Sequence, residues 1–484
     1  MQKDIFQRMA SAGFRTFLAL LALTCCMRSG ASVRLDIPRE PMGPGISNDF
    51  TGLSFEMSYV LPDARGRHFF RPGNEALVAM FHTLGVRVLR VGGNTADRAT
   101  LPLPSHEDVD SLFDFAAAAK VRVLFTLRLK TSNPEWASEM AGYIMKHHGA
   151  QVEAMAIGNE PNVYYKTFGA YLAQWRPVAE FVMQSNGHDY PGLKLAAPGT
   201  SPGHEFWARD MAATFGRHGL VSLISQHDYP GGDARRATNA PAARDRLLSP
   251  AMDLHYAKFA AGWVPTVLSN GLPYRLEEAN SFYDGGAKDV SDTFASALWG
   301  LDYQWWWAAH GCGGVNFHTG DKVAARDENK PCRYAVFWTA PDGYQVHPLA
   351  YALKMFSLAG PGHLLATRIS NEDGLNICAY ALISPEGAIT VTLINREHGP
   401  NGRPAPFILN PALPDSSASC LELTALGNSV EAEDGILLGG SSIGTDGSWN
   451  GHWKAMPRQA ESGTYHLTLP PASAVLVKIT PAGR

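Results

Sequence analysis

Residues 121–157 read VRVLFTLRLKTSNPEWASEMAGYIMKHHGAQVEAMAI, and this stretch sets the pattern on which the fold prediction rests. The apolar run at 121–129 predicts a strand, the helical periodicity at 134–147 predicts a helix, and 153–157 predicts the next strand. A strand, a helix and a second parallel strand in this order form one βαβ unit. The same alternation extends in both directions, from about residue 50 to residue 360.

Eight candidate strands lie in this region, and helical stretches separate them. The predicted strands are 50–56, 86–91, 121–129, 153–157, 193–197, 221–227, 274–278 and 313–318. Eight alternating strands and helices predict a closed (β/α)₈ TIM barrel, of the α/β class, rather than an open doubly wound sheet. No glycine-rich phosphate motif follows the first strand, which weakens a Rossmann interpretation.

Beyond residue 360 the helical periodicity stops. Strand-like runs such as 388–395 and 473–479 alternate there with Gly, Pro, Asn and Asp turn residues. The sequence therefore predicts a catalytic barrel over 49–360 and a C-terminal antiparallel β-sandwich domain over 361–484. A strand-like run also opens the segment 32–48, and we expect this N-terminal strand to join the sandwich rather than the barrel.

The first 31 residues have the pattern of a secretory signal peptide. Lys3, Arg8 and Arg15 precede an apolar run of 11 residues at 17–27, and small residues follow at 29–31. Such a run is too short to span a bilayer. The pattern predicts cleavage after residue 31 and export to the periplasm or the extracellular space, with no membrane association afterwards. The alternative is that these residues form an N-terminal helix of the fold.

Charge and cysteine content narrow the classes of function. The formal net charge of −4 excludes a nucleic-acid-binding protein that works by bulk positive charge. An even number of cysteines beyond the signal segment permits disulfides in an exported chain, and we predict the pairs Cys312–Cys332 and Cys378–Cys420. The alternative is four buried free thiols. No C-x-x-C spacing occurs and the histidines are scattered, so we predict no metal and no cofactor.

Two glutamates follow strands that lie on opposite sides of the predicted barrel mouth. Asn159, Glu160 and Pro161 follow the fourth strand, and Glu277 and Glu278 end the seventh. The active site of a TIM barrel lies at the C-terminal ends of its strands. Two carboxylates placed there suit glycoside hydrolysis, in which one acid protonates the leaving oxygen and the other attacks the anomeric carbon or activates water. The alternative for either glutamate, considered alone, is a structural role: Glu160 as a helix cap and Glu278 as a surface charge.

Five short motifs carry a resemblance to a known family. They are LSFE at 53–56, RVGGNTAD at 90–97, IGNEPN at 157–162, EANSFY at 278–283 and GVNFH at 314–318. Together they resemble glycoside hydrolase family 79, the family of β-glucuronidases and heparanases, within the large clan of retaining (β/α)₈ glycosidases. The resemblance covers nearly the whole chain, including the small β-domain.

The resemblance implies a retaining mechanism with a covalent glycosyl-enzyme intermediate. Glu160 would be the general acid and base, and Glu278 the nucleophile, with their carboxyls about 5 to 5.5 Å apart. Glu277 is the rival nucleophile. Because successive strand residues point to opposite sides, we expect only one of the two to face the substrate and Glu277 to point into the barrel wall. Ala279 stands where the family has threonine.

The resemblance also implies a set of residues that bind the sugar. Asp97 and Asn159 are candidates to bind hydroxyl groups, with Glu56 and Asn94 close by, and Asn280 of the E-x-N-S motif completes this set.

Aromatic hydroxyls complete the expected site. Tyr229 is expected to hydrogen-bond the nucleophile, although Asp228 replaces the first tyrosine of a family-like H-Y-Y-P motif. A glucuronidase must also hold the carboxylate of its substrate, which needs hydroxyl, N–H or cationic donors. Tyr283 matches the carboxylate-binding tyrosine of the family, and Tyr334 and Lys322 are further candidates. The alternative for Tyr334 and Lys322 is that they are ordinary loop residues.

These expectations describe an exported, retaining exo-β-glucuronidase that hydrolyses terminal β-linked glucuronic acid from glycans or glycosides. Its expected partner is a carbohydrate substrate, and neither nucleic acid nor a cofactor is expected. The alternatives are a glycosidase of the same fold with another specificity, namely a 4-O-methyl-glucuronidase, a β-glucosidase or an endo-acting heparanase-like enzyme, and a non-catalytic carbohydrate-binding protein. The lack of an obvious basic cluster around the predicted cleft disfavours heparan sulfate.

Overall fold

The computed structural model of the protein describes residues 32–482 except 132, 217–218 and 324–329. The predicted signal peptide at 1–31 lies outside the described residues. Two short strands, β1 (Val33–Ile37) and β2 (Pro41–Ile46), precede a closed barrel of eight parallel strands. The barrel strands are β3 (Thr51–Glu56), β4 (Val88–Gly92), β5 (Arg122–Leu127), β6 (Val152–Ile157), β7 (Leu195–Thr200), β8 (Leu223–Asp228), β9 (Tyr274–Ala279) and β10 (Val315–His318).

The barrel closes because β10 pairs in parallel with both β9 and β3. Each predicted strand has its observed counterpart within three residues at either end, so the predicted (β/α)₈ barrel is confirmed. Small and apolar side chains from β4, β5, β6, β7 and β8 fill its lower interior. Polar and charged side chains replace them towards the C-terminal ends of the strands.

Among the described residues, ten α-helices surround the barrel. They are α1 (Glu75–Leu84), α2 (His106–Ala119), α3 (Pro134–His148), α4 (Phe168–Asn186), α5 (Phe206–Phe215), α6 (Ala240–Leu247), α7 (Ala251–Ala261), α8 (Val264–Ser269), α9 (Phe294–Ala309) and α10 (Pro348–Ala359). A capping box between Ser105 and Asp108 starts α2, and Gly85 in the left-handed conformation ends α1. The three helices between β8 and β9 were not among the helical stretches predicted from the sequence. In the part of the chain that the structure describes, no helix is long and apolar enough to cross a bilayer.

A β-sandwich packs against one side of the barrel. After a hairpin of β11 (Phe337–Ala340) and β12 (Gly343–Val346), the remaining strands are β13 (Gly362–Leu365), β14 (Arg368–Ser370), β15 (Ile377–Ile383), β16 (Ile389–Asn395), β17 (Ala405–Pro411), β18 (Ser416–Thr424), β19 (Leu437–Leu438), β20 (Lys454–Met456), β21 (Tyr465–Leu469) and β22 (Ser473–Pro481). One sheet has the order β14-β1-β17-β21. The other runs β19-β18-β22-β16-β15-β13-β2, with β20 beside β18. The predicted sandwich that takes in the N-terminal strand is therefore confirmed, and β2 joins it as well.

Helix α9 is the element that joins barrel and sandwich. It is mostly apolar and buried along almost its whole length, as expected for a helix with protein on every face. Trp305 on α9 stacks on Tyr380 of β15, with ring centroids 5.6 Å apart. The aromatic run of α9 therefore packs the two halves of the molecule together.

The predicted disulfides are wrong, because all four described cysteines are free and buried. The Sγ of Cys312 lies 3.1 Å from the carbonyl of Gly314, at the N-terminal end of β10. Cys332 lies past the other end of β10, in a cluster with aromatic residues. Cys378 on β15 and Cys420 on β18 have β16 and β22 between them, a separation of about 14 Å at usual strand spacing. A disulfide needs a Cα separation of roughly 4.4 to 6.8 Å.

Candidate active site

A cavity of about 650 Å³ opens at the C-terminal ends of the barrel strands. Most of the side chains predicted from the sequence line it, namely Glu56, Asn94, Asp97, Asn159, Glu160, Tyr229, Glu278, Tyr283, Lys322 and Tyr334. Asn280 does not. The structure therefore brings together residues from six barrel strands and the loops that follow them.

Glu160 owes its position to an abrupt turn after β6. Gly158 and Glu160 both have positive φ angles, of 88° and 43°, and Pro161 begins a single turn of 3₁₀-helix. The Glu160 N–H donates to the carbonyl of Gly199 at 3.0 Å, which ties the turn to β7. A left-handed glutamate is uncommon, and such backbone strain is concentrated at functional sites. The Glu160 side chain remains 17% exposed, so it can reach a ligand in the cavity.

The Glu278 carboxylate has more hydrogen bonds to the protein than that of Glu160. Arg90 Nη1 donates to its Oε2 at 2.5 Å, and the Tyr229 hydroxyl donates to its Oε1 at 2.8 Å. Burial alone would raise the pKa of Glu278, but the positive charges of His318, His227 and Arg90 and the hydrogen bond from Tyr229 lower it overall. Glu278 is therefore ionised, as a nucleophile requires.

Arg90 organises the centre of the site, and the sequence analysis did not predict this role. It is fully buried on β4, and it donates to Ser54 Oγ at 3.1 Å and to Asn159 Oδ1 at 2.6 Å besides Glu278. A buried arginine must have such partners, because an unpaired charge in the core is costly. The signal in the sequence is the arginine itself, which interrupts the apolar strand VLRVG.

Two histidines that the sequence left unassigned also face the site. His227 Nδ1 lies 3.1 Å from Glu160 Oε1 and 3.8 Å from Glu278 Oε1. Burial would lower the pKa of His227, but the charge of Glu278, the hydrogen bond to Glu160 and the contact with Glu277 raise it to about 9. His318 Nδ1 lies 3.0 Å from Ser54 Oγ. Each histidine stands at the end of a strand, which is the signal that could have found them.

The two candidate catalytic carboxylates lie close together. One oxygen of Glu160, one oxygen of Glu278 and a ring nitrogen of His227 all lie within 4.8 Å of one another. These are also the atom types that bind metal ions. In the structure Glu278 accepts hydrogen bonds from Arg90 and Tyr229, and Glu160 contacts His227, so each member of the group has a hydrogen-bonding partner within the protein.

Glu277 does not point into the barrel wall, which corrects the expectation from strand alternation. Gln226 of β8 pairs with Leu276, and the next residue, His227, pairs with Glu278. Glu277 is therefore the extra residue of a β-bulge, which breaks the alternation of side chains. Its carboxylate lies inside the barrel, with Oε1 at 3.5 Å from His227 Nε2. Both glutamates of β9 consequently face the interior.

Two predicted sugar-binding residues have their polar atoms fully engaged by protein. Asp97 accepts from the backbone N–H groups of Leu129 and Lys130 through one oxygen. Its other oxygen accepts from the Asn159 N–H and the Tyr164 hydroxyl. Asn280 is buried behind the cavity, where its amide group donates to the carbonyls of His318 and Tyr334. Both residues fix loops at the barrel mouth and leave the remaining candidates for contact with a ligand.

Three tyrosines form one corner of the cavity. The ring of Tyr229 lies 6.3 Å from that of Tyr283 and 6.1 Å from that of Tyr334, centroid to centroid. Tyr334 is buried, whereas Tyr283 is 40% exposed and Lys322 is exposed at the rim. The corner thus combines aromatic faces with hydroxyl and ammonium donors.

Comparisons with known proteins bear on the fold and on the class of enzyme. No protein-family model matches the chain. A β-glucuronidase from Aspergillus niger is 40% identical over 108 residues, which are 21% of this chain and 19% of that protein. This chain therefore matches about a fifth of the length of that curated relative. The resemblance to a β-glucuronidase is confirmed.

Solved structures share the fold at low sequence identity. A 4-O-α-L-rhamnosyl-β-D-glucuronidase from Fusarium oxysporum 12S, in complex with Rha-GlcA, superposes with a TM-score of 0.72 at 19% identity, covering 92% of this chain and 99% of that one. A family 51 arabinofuranosidase from Xanthomonas axonopodis pv. citri gives 0.68 at 15% identity, covering 93% and 100%. The relative and both structures are glycoside hydrolases, and the structures establish the shared fold.

Proposed function

We propose that the protein is a retaining exo-β-glucuronidase, a glycoside hydrolase that removes terminal β-linked glucuronic acid from glycans or glycosides. The observation that carries this proposal is the approach of oxygens from Glu160 and Glu278 to within 4.8 Å. Retaining glycosidases hold their carboxyls about 5 to 5.5 Å apart, whereas inverting enzymes keep roughly 6.5 to 9.5 Å to admit a water. The likeness to the Aspergillus niger β-glucuronidase supports the choice of sugar.

The proposed reaction has two steps. Glu160 first donates its proton to the glycosidic oxygen while Glu278 attacks the anomeric carbon and forms a glycosyl ester. Glu160, now a carboxylate, then takes a proton from water, and this water displaces Glu278 from the sugar. The hydrogen bonds from Arg90 and Tyr229 support the first step, because they keep the Glu278 carboxylate ionised and fixed in direction.

Asn159 and the tyrosine corner would bind the sugar. Because Asn159 Oδ1 accepts from Arg90, its NH₂ group is the part left to donate to a sugar hydroxyl. The glucuronate carboxylate would be held by the hydroxyls of Tyr283 and Tyr334 and the ammonium of Lys322, all of which line the cavity. The signal-peptide pattern of residues 1–31 supports export of the enzyme.

A retaining glycosidase with another specificity is the second candidate. The shared fold with an arabinofuranosidase favours testing this directly. The experiment compares kcat/KM of the purified protein on aryl β-D-glucuronide, aryl β-D-glucoside and aryl α-L-arabinofuranoside at mildly acidic pH. We expect the glucuronide to be preferred. Preference for another sugar would remove the glucuronidase assignment, and turnover of none would favour a carbohydrate-binding protein.

Substitution of Glu278 tests the mechanism. Glu278→Gln removes the nucleophile with little change of shape, so kcat should fall by several orders of magnitude while the protein stays folded. Glu277→Gln is the comparison variant, since it alters the neighbouring glutamate of the same strand and should retain much more activity than Glu278→Gln. Full turnover by Glu278→Gln together with inactivity of Glu277→Gln would overturn the nucleophile assignment. Proton NMR of the first-formed product should show the β-anomer.

A further inference from the structure

A third carboxylate lies directly beneath the two proposed catalytic ones. Glu277 is fully buried inside the barrel, where the bulge in β9 places it. Its surroundings are built to fit it, because a Cβ on Gly199 would lie 2.2 Å from Glu277 Oε1. Gly199 also has a φ of 59°, which favours glycine. A buried carboxylate of this kind is costly unless a positive group compensates it.

The compensating group is His227. Its Nε2 lies 3.5 Å from Glu277 Oε1, and this is the single ion-pair contact of Glu277 among the residues that the structure describes. The opposite ring nitrogen, Nδ1, lies 3.1 Å from Glu160 Oε1. The imidazole therefore connects the buried carboxylate to the proposed acid and base. A carboxylate behind a histidine fixes the orientation of the ring and the nitrogen that carries the proton.

The charges around His227 balance when its ring is protonated. It faces Glu277 and Glu278 of β9 and Glu160 after β6, and Arg90 of β4 pairs with Glu278. With Glu160 protonated, three cations meet three carboxylates; the cations are His227, Arg90 and His318, and the carboxylates are Glu277, Glu278 and Glu56. When the Glu160 proton passes to the leaving oxygen and a Glu278 oxygen bonds to the anomeric carbon, Glu278 becomes a neutral ester and Glu160 becomes negative. The buried charge is thus the same before and after the first step.

We propose that Glu277 is a positioning residue that keeps His227 as an imidazolium, with Nε2–H directed to Glu277 and Nδ1–H directed to Glu160. The negative charge that develops on Glu160 during proton donation then meets a fixed positive donor. Such preorganised charge lowers the barrier of a step in which the charge forms. This role rests on the proposed two-glutamate mechanism but not on the identity of the sugar.

The proton affinities agree with the geometry. The pKa of His227 is raised to about 9 even though burial acts against its charge. Burial would raise the pKa of Glu277, but the contact with His227 and the charges of Arg90 and His227 lower it overall. Both groups therefore carry their charges at neutral pH.

The first test measures the histidine itself and needs no substrate. In ¹⁵N-histidine-labelled protein, the His227 signals are identified by their loss in His227→Gln. We expect both ring nitrogens of His227 to be protonated at neutral pH in the wild type. In Glu277→Gln the ring should lose its proton at a pH lower by about one unit or more, while Glu277→Asp, which keeps the charge, should stay closer to the wild type. An unchanged titration in Glu277→Gln, or a neutral His227 in the wild type at neutral pH, would overturn the proposal.

The second test uses the leaving group. Proton donation matters most when the departing oxygen is basic, so Glu277→Gln should lower kcat/KM about tenfold or more on a phenyl glycoside. It should have much less effect on a 2,4-dinitrophenyl glycoside, whose leaving group departs without a proton. A merely structural defect would lower both rates equally, and that result would contradict the proposal.

A matched control is Glu153→Gln, which removes the carboxylate that pairs with Arg122 at 2.6 Å, at the opposite end of the barrel. It should alter neither the His227 titration nor the ratio of the two rates. The leaving-group series uses whichever sugar the wild type prefers. Failure of the glucuronidase assignment therefore leaves this test intact, and failure of the Glu277 role leaves that assignment intact.

Discussion

Glu160 and Glu278 are the same residue type in two different surroundings. Glu278 is enclosed, with an arginine and a tyrosine on its two oxygens, whereas Glu160 is more exposed and contacts a histidine. Enzymes assign acid and nucleophile roles to a carboxylate pair through such differences in environment. The sequence motif gives the pair, and the contacts explain why Glu278 stays ionised.

Tyr283 should decide how well the site recognises a uronic acid. Tyr283→Phe removes one hydroxyl from the cavity and keeps the ring. We expect kcat/KM on aryl β-glucuronide to fall by roughly 10- to 100-fold, because a carboxylate in the site loses a charge-assisted hydrogen bond. Activity on a neutral aryl β-glucoside should change little. An equal loss on both substrates would show that Tyr283 supports the cavity and does not read the carboxylate.

Strand β8 carries functional and structural groups on alternate sides. Asp228, between His227 and Tyr229, points away from the cavity and accepts a hydrogen bond from the Tyr303 hydroxyl at 2.7 Å. Burial raises the pKa of Asp228 to about 7, although the bond from Tyr303 opposes the shift. Since the folded state then binds the proton more tightly than the unfolded chain, Asp228 makes the protein less stable as pH rises from about 4 to 7.

Asp228→Asn removes this ionisation and keeps an acceptor for Tyr303. At pH 8 the variant should exceed the wild type in free energy of unfolding by up to about 4 kcal/mol, and the difference should vanish towards pH 4. Urea unfolding at a series of pH values measures it. Asp189→Asn, on a side chain that is 71% exposed, is the control and should leave the pH dependence unchanged. If the difference in free energy of unfolding between Asp228→Asn and the wild type did not change with pH, the raised pKa of Asp228 would be contradicted.

How far sequence predicts structure depends on the range of the interaction. The strand that delivers Glu160 is readable from local periodicity, as is the approximate end of the strand that delivers Glu278. The bulge at Glu277 is not, because it depends on pairing with His227 about fifty residues earlier in the chain. The disulfide prediction also failed because it required knowledge of tertiary structure. Cys312 lies before strand β10 and Cys332 lies after it, so the strand separates the two thiols. Arg90 was visible as a charge in an apolar run, but its partners come from three other strands.

At the scale of the whole molecule, a buried ion network fastens the sandwich to the barrel. Arg396, just after β16, donates from Nη1 to Asp302 of α9 at 3.1 Å and from the same group to Asp253 of α7 at 3.1 Å. The side chains of Arg396 and Asp302 are each 3% exposed. The Tyr380 hydroxyl also donates to Asp302. Removing the arginine would leave Asp302 charged and uncompensated in the interface.

We therefore expect Arg396→Met to destabilise the protein by about 3 to 5 kcal/mol, the usual cost of breaking a buried ion pair from one side. Arg403→Met is the matched control, because Arg403 pairs with Glu397 at 2.7 Å while remaining 48% exposed. It should cost less than about 1 kcal/mol. Chemical denaturation of both variants measures the difference. If both variants lost the same free energy of unfolding, the network around Asp302 would contribute no more to stability than a surface ion pair.

Strand β1 has a consequence for how the chain is made. Val33 of β1 lies beside Phe407 of β17, a separation of 407 − 33 = 374 residues. At a translation rate of roughly 5 to 20 residues per second, β1 leaves the ribosome roughly 20 to 75 seconds before β17, one of its two partner strands, exists. The barrel can close in that interval, but the sheet that contains β1 cannot. The sheet around β1 can therefore be completed only after the barrel strands have been made, and a nascent chain must keep this short apolar strand without its full set of partners until β17 is synthesised.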